Sequence, residues 1–221
     1  MNKIIGGLQI SPVVLGTDVY GTVVSEKDAF SLLNNYIELG GNTIDTARMY
    51  ACWEPNGAGK SEQTIGKWLK QLGGRDQMII STKCAHPPIE NMSNHRLDRA
   101  EIFSDVDESL SALGTDYIDI LWLHRDDVRV GVEGIVDTLN LLVKQGKIRC
   151  FGASNWTAKR IAEANAYAKA SGQDGFVSSQ IKWSLAVTSP GFVKAFFKNT
   201  IRAAKKHFQE RQKLVTTARR I

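Results

Sequence analysis

Cysteines, prolines and long apolar runs are all scarce in this chain. Its 221 residues hold three cysteines, Cys52, Cys84 and Cys150, widely spaced and odd in number, so no disulfide framework can be drawn. Free thiols of this kind point to a reducing, cytoplasmic setting. Five prolines and 19 glycines without repetition exclude a collagen-like or disordered chain. No stretch approaches the ~20 apolar residues of a membrane helix. The start, Met1 to Gly7, lacks the apolar run and cleavage site of a secretory signal. Cys84 and His86 lie close together but have no second ligand pair, so no metal site is expected. His95 has no visible partner and is expected to be solvated.

Acidic residues are nearly absent from one segment only. Residues 191–221 hold nine Lys or Arg against Glu210 alone, a net +8, which leaves −3 for residues 1–190 of the +5 total. The basic balance therefore belongs to the end of the chain, and nucleic acid is not an expected partner of the whole. Val193, Phe197, Ile201, Ala204 and Phe208 fall on one helical face there, among Lys194, Lys198, Arg202, Lys205 and Lys206. The expected division is a barrel domain over 1–190 and a basic amphipathic helical tail over 191–221.

What is present is apolar periodicity. With 43% hydrophobic residues the chain can bury one sizeable core. Short apolar strands are predicted at Val13-Val14-Leu15, Thr43-Ile44-Asp45, Met78 to Lys83, Ile118 to His124, Cys150 to Ser154 and Phe176 to Gln180. Helix patterns separate them: Glu26 to Leu39, Ser61 to Leu72 (with Ser61 as its N-cap), Ala100 to Leu113, Val132 to Gln145 and Thr157 to Ala170. Strands alternating with helices of this length imply an α/β fold with a parallel sheet. A doubly wound dinucleotide-binding sheet needs G-x-G-x-x-G after the first strand, and Gly16-Thr17-Asp18-Val19-Tyr20-Gly21 does not fit. A TIM (β/α)8-type barrel is favoured, with about six recognisable βα units. The segment Asn56 to Ser61 resembles the end of a phosphate loop, but Glu54 stands where that loop needs glycine.

In such barrels chemistry collects at the C-terminal ends of the strands. The predicted strands end in Asp45, Lys83, His124, Ser154-Asn155 and Gln180. Each alone has an ordinary structural reading, but a closed barrel directs all of them towards one axis. Tyr50, five residues beyond Asp45, offers a phenol with an ordinary pKa of about 10. A nearby cation, Lys83, would favour its ionised form, and Asp45 would hold that lysine in place. His124 could orient a carbonyl oxygen or relay a proton. Ser154, Asn155 and Gln180 are the hydroxyl and amide partners that a carboxamide needs.

Several motifs together resemble the aldo-keto reductase family: Gly41-Asn42-Thr43-Ile44-Asp45-Thr46-Ala47-Arg48-Met49-Tyr50, Ser61-Glu62-Gln63-Thr64-Ile65-Gly66, Thr82-Lys83, Leu113 to Asp119 leading to Leu123-His124, Gly152-Ala153-Ser154-Asn155, and Gln180 to Ser184. They occur in order over about residues 1–190. The resemblance implies a (β/α)8 barrel that reduces aldehydes or ketones, a small-molecule carbonyl substrate, with a nicotinamide cofactor, NADPH as a rule and NAD as an option, and no metal. It implies that Asp45, Tyr50, Lys83 and His124 form the catalytic tetrad. Ser154, Asn155 and Gln180 would bind the nicotinamide carboxamide, and Gly16, Thr17 and Asp18 would form the first loop near the cofactor.

The pattern fades after Trp183-Ser184-Leu185. Only 41 residues follow Gln180, and neither the seventh strand with its stacking aromatic nor the eighth with its basic cluster is recognisable. A C-terminally truncated or altered member of the family is therefore expected, with an open barrel edge through which copies of the chain could associate. Two other readings stay open: a catalytically inactive relic or binding protein without a complete cofactor cleft, and a basic-helix interaction module.

Overall fold

Period-two apolar segments become strands wherever a neighbour can pair with them. The structure, a computed structural model, describes residues 3–181. Its sheet contains β3 (Leu15–Gly16), β4 (Thr43–Asp45), β5 (Ile79–Cys84), β6 (Ile118–Leu123), β7 (Ile148–Ser154) and β8 (Ser179–Gln180), all parallel and ordered as they occur in the chain. Helices α1 (Glu26–Glu38), α2 (Lys60–Leu72), α3 (Arg99–Leu113), α4 (Val132–Lys144) and α5 (Ala158–Ala170) connect them. A doubly wound sheet reverses its strand order at a switch point, and this one does not. The sequential order is that of a barrel, six of whose strands lie among the described residues. The expected tail over 191–221, and the motif residues Lys182, Trp183 and Ser184, lie outside them.

Two apolar layers sit on opposite faces of the sheet. Ile44, Ile80, Leu121, Leu123, Phe151 and Ala153 pack outward against the helices. Ile79, Ile120, Trp122 and Cys150 pack inward. Alternation along each strand thus assigns one set to the helix layer and the other to the barrel interior. Sequence reading missed an antiparallel hairpin, β1 (Lys3–Ile5) and β2 (Leu8–Ile10), which closes this interior from below with Ile5, Leu8 and Ile10. Its signal was available, because Gly6-Gly7 at φ +54° and +79° supplies the two left-handed positions of a tight hairpin turn. Gly152 is required for another reason: a Cβ there would lie 2.3 Å from Trp122 Cζ3.

Element boundaries differ from expectation where strands are very short. Val13 and Val14 are exposed, and only Leu15 and Gly16 pair, with Ile44 and Asp45. Phe176 precedes β8 and packs edge-on against Phe151 and Trp156 in the helix layer. Ser25, Asp98 and Thr157 cap α1, α3 and α5 through their side chains. Ser61 does not cap α2 as expected; Gly59 stands at that position. Ser61 is wholly buried in the first turn, donating to Thr17 O at 2.7 Å and linked to the hydroxyls of Thr17 and Thr46 at 3.0 and 2.9 Å. It fastens α2 beneath the ends of β3 and β4. Glu62 beside it accepts from Thr82 Oγ1 at 2.5 Å, tying α2 to β5. Among the described residues, no helix is long and apolar enough to cross a membrane.

Candidate active site

The inward register carries the polar residues as well as the apolar ones. Thr43 and Asp45 on β4, Ile79, Ser81 and Lys83 on β5, Ile120 and Trp122 on β6, and Cys150, Gly152 and Ser154 on β7 follow the period-two rule. Pairing sets Asp45 beside Ser81, Lys83 beside Trp122, Trp122 beside Gly152, and Ser154 beside Gln180. His124 continues β6 by one residue, its backbone N–H donating to Cys84 O at 2.9 Å. The lower half of the interior is therefore apolar and the upper half polar.

Lys83 organises the polar half. It is 3% exposed, and its Nζ donates to Asp45 Oδ2 at 2.6 Å, to Thr46 O at 2.8 Å and to the Tyr50 hydroxyl oxygen at 2.8 Å. All three ammonium protons are thereby placed. Asp45 is fixed in turn, because Ser81 Oγ donates to its other oxygen at 2.6 Å. The loop after β5 is held by Asp105, which accepts from Ala85 N at 2.8 Å and pairs with Arg48 and Arg96. Burial pushes the Lys83 ammonium below the ordinary lysine value, and Asp45 opposes that shift.

The phenol behaves differently from the expectation that Lys83 would lower its pKa. Burial, then the Asp45 carboxylate, push Tyr50 well above its ordinary value. The physical reason is that burial disfavours the charged phenolate first, and the neighbouring Asp45 carboxylate repels it second. Tyr50 is thus held protonated. Its oxygen accepts from Lys83, while its own proton has only a long contact with Asp45 Oδ2 at 3.4 Å. That proton is available to an acceptor in the mouth of the barrel. Burial, with His86, Lys83 and Arg125 adding to it, pushes His124 down to about 2, so its imidazole is neutral at physiological pH. The Tyr50 and His124 ring centroids lie 6.3 Å apart.

The remaining expected residues flank this cluster. Ser154 is buried, and its hydroxyl accepts from Asn155 Nδ2 at 3.0 Å. Asn155 has a left-handed backbone, φ +61°, and its N–H donates to Gln180 O at 3.1 Å, which brings the ends of β7 and β8 together. Gly16 and Asp18 are exposed at the end of β3. Thr17 between them is wholly buried, its hydroxyl engaged with Asp45 O and Ser61. Asp45, Tyr50, Lys83 and His124 therefore meet in one place, with Ser154, Asn155 and Gln180 along one side.

Two neighbours that the sequence did not assign to the cluster join it. The His86 ring stands edge-on to His124 with centroids 4.6 Å apart, so His86 belongs to this mouth and not to a metal pair. Among the described residues no cluster of His, Cys, Asp and Glu could hold a metal ion. Arg125, the residue after His124, is half-buried beside the same rings. His95, expected to be solvated, lies 4.0 Å from Asp127. The residues around Asn56 form a series of turns with no strand before them, so the phosphate-loop resemblance has no structural counterpart.

The sequence model of the Aldo/keto reductase family matches residues 12–204. A norsolorinic acid reductase of Aspergillus flavus is 35% identical over 193 residues, covering 81% of this chain and 48% of its own length. An aryl-alcohol dehydrogenase [NADP(+)] of Phanerodontia chrysosporium is 32% identical over 198 residues, covering 82% of this chain and 50% of its own. The chain thus spans about half the length of the curated relatives it matches. The crystal structure of a thermostable aldo-keto reductase with the inhibitor epalrestat superposes with a TM-score of 0.71 at 26% identity, over 90% of this chain and 69% of that one.

Proposed function

The chain belongs to the aldo/keto reductase family, and we propose that it reduces aromatic aldehydes or ketones to alcohols with NADPH, Tyr50 supplying the proton. The observation that carries this reading is the Lys83 ammonium, which donates at once to Asp45, to Thr46 O and to the Tyr50 oxygen. The name of one relative, an aryl-alcohol dehydrogenase [NADP(+)], supports the cofactor and the substrate class, and the name of the other, a reductase, supports the direction of the reaction.

The residues present fit the nicotinamide end of such a cofactor. Ser154, Asn155 and Gln180 are neutral hydroxyl and amide groups gathered at the ends of β7 and β8. Two buried nitrogens near them, Trp122 Nε1 and His124 Nδ1, have no protein partner. Thr17 would contribute through its backbone only, with Gly16 and Asp18 beside it. When bound, a reduced nicotinamide supplies the hydride that goes to the carbonyl carbon.

The chain's own groups act on the carbonyl oxygen. A neutral His124 can give one N–H to that oxygen and orient it towards Tyr50. As negative charge develops there, the Tyr50 proton moves to it and a phenolate is left. Lys83 then stabilises the phenolate through the hydrogen bond it already makes, with little rearrangement. Asp45, locked by Ser81, keeps Lys83 in place throughout. The three free thiols, Cys52, Cys84 and Cys150, fit a reducing compartment such as the cytoplasm.

Two measurements test the reading: NADPH binding by fluorescence, and loss of absorbance at 340 nm with 4-methoxybenzaldehyde. Saturable binding with turnover supports it. Binding without turnover of any aromatic aldehyde favours a non-catalytic binding protein, and the absence of both refutes the proposal.

A further inference from the structure

Among the described residues, most arginines meet a carboxylate. Arg48, Arg75, Arg96, Arg129, Arg149 and Arg160 each do so within 4.0 Å, and Arg99 is solvent-exposed. Arg125 is the exception. It is half-buried, its Nη1 donates to His124 O at 3.0 Å, and no carboxylate of the described residues lies within ion-pair distance. The two acids that follow it are committed elsewhere, Asp126 to Arg160 and Asp127 to Arg129.

Burial of a guanidinium without a counter-ion is costly. Here that cost falls at the mouth of the barrel. Arg125 is close enough to act electrostatically on Tyr50, His124 and His86 together. A guanidinium has five N–H donors in a planar fork suited to a carboxylate, and one of them is spent on the His124 carbonyl.

We propose that Arg125 is a substrate-selecting residue, and that the preferred substrates of this site are aromatic aldehydes or ketones bearing a carboxylate. The inference rests on the proposed carbonyl reduction and adds a charge requirement to it. Carbonyl oxygen faces Tyr50 and His124 while the carboxylate closes on the Arg125 fork. A neutral ring of the same size leaves the guanidinium unpaired.

The test compares 4-carboxybenzaldehyde with 4-methylbenzaldehyde on the full chain and on Arg125→Gln and Arg125→Lys. Glutamine retains a donor for the His124 carbonyl, and lysine retains the charge without the fork. Dissociation constants come from ligand-observed NMR in the absence of cofactor, and kcat and KM from NADPH oxidation. In the parent, the carboxylate-bearing aldehyde is favoured by about 10- to 100-fold, the size of a lost charge-assisted hydrogen bond. That preference vanishes in Arg125→Gln through a rise in Kd and KM, and Arg125→Lys keeps part of it. Equal binding of the two aldehydes by the parent overturns the inference. So does a preference that survives Arg125→Gln, or a variant whose loss is in NADPH affinity, which would assign the guanidinium to the cofactor. If no aldehyde is turned over, the carbonyl-reduction reading fails, and the NMR constants still decide whether Arg125 selects a carboxylate.

Discussion

Replacing Tyr50 with phenylalanine removes one oxygen and leaves the ring. That oxygen accepts from Lys83 Nζ at 2.8 Å and reaches Asp45 only at 3.4 Å. A general acid is worth about 10²–10⁴-fold in rate, so carbonyl reduction should fall by that factor, which corresponds to about 3–5 kcal/mol of barrier. The structural loss is smaller. Lys83 keeps Asp45 and Thr46 O, so one hydrogen bond from a charged donor is lost, about 1.5–3 kcal/mol. For a domain of this size that is roughly 3–12 °C in Tm. NADPH affinity should hardly change, because the phenol serves the substrate oxygen. The assay is the 340 nm rate beside a thermal melt and an NADPH titration. A variant that keeps more than half the parent rate removes Tyr50 from the chemistry. A variant that loses activity only because it has unfolded at the assay temperature would show that the reasoning mistook a structural residue for an acid.

Four other outcomes follow from the contacts in the barrel interior. Lys83→Met and Asp45→Asn should each destabilise by about 3–5 kcal/mol, because each strands a buried partner; the double variant should cost clearly less than the two added, and additive urea midpoints would refute the coupling. Reduction should vary little between about pH 6 and 9, since Tyr50 stays protonated and His124 neutral there, and a bell centred near neutral pH would contradict both assignments. Stability follows the same shifts: the raised Tyr50 pKa gives a contribution complete below its unfolded value near 10 and lost as pH rises through the folded one, while the lowered His124 pKa gives one present above about 6.5 and lost as pH falls. Alkaline melts of Tyr50→Phe should therefore be flatter than those of the parent. Gly152→Ala should cost about 1–3 kcal/mol by overpacking, because its Cβ would stand 2.3 Å from Trp122 Cζ3 and 2.8 Å from Ser178 O; an unchanged melting temperature would show that Trp122 can move aside.

The sequence made the barrel legible through two periods, 3.6 in the helices and 2 in β4 to β7. Those segments are long enough, or buried enough on both faces, for pattern to determine state. The two-residue strands β3 and β8 were overestimated because Val13-Val14 and Phe176-Val177 are apolar for other reasons. Phe176 fills a gap between Phe151 and Trp156. Val13 and Val14 lie exposed before the pairing begins. The β1–β2 hairpin was missed because three-residue strands carry almost no periodicity, although Gly6-Gly7 marks its turn. Ser61 looked like a helix cap because a lone serine before an apolar run has that reading, and nothing local reveals that Thr17 and Thr46 arrive from other strands.

The candidate site divides along the same line. Asp45, Lys83, His124 and Ser154 were visible because strand ends in a barrel converge, which is a property of topology. What was not visible depends on distances between them. A nearby Lys83 suggested a lowered phenol, but burial of Tyr50, and after it the Asp45 carboxylate that accepts from Lys83 at 2.6 Å, raise it instead. Arg125 drew no notice in the sequence, where two acids follow it; in the structure both acids turn to other arginines. Left-handed residues directly follow β5 and β7, and another stands beside Tyr50 in the loop after β4. Ala51 follows Tyr50 at φ +64°, Ala85 follows Cys84 at +58°, and Asn155 follows Ser154 at +61°. An L-residue in that region costs of order 1 kcal/mol or more, and such positions persist where the surroundings fix them. Ala85 is fixed by Asp105, and Asn155 by Gln180 O. The bends at Ala85 and Asn155 turn the backbone just beyond the strands that carry Lys83 and Ser154, and the bend at Ala51 follows Tyr50 within its loop. Tyr50 and Arg125 thus stand on loops and Asp45 and Lys83 on strands, so the loop after β6 can vary without disturbing the ammonium and carboxylate that hold the phenol.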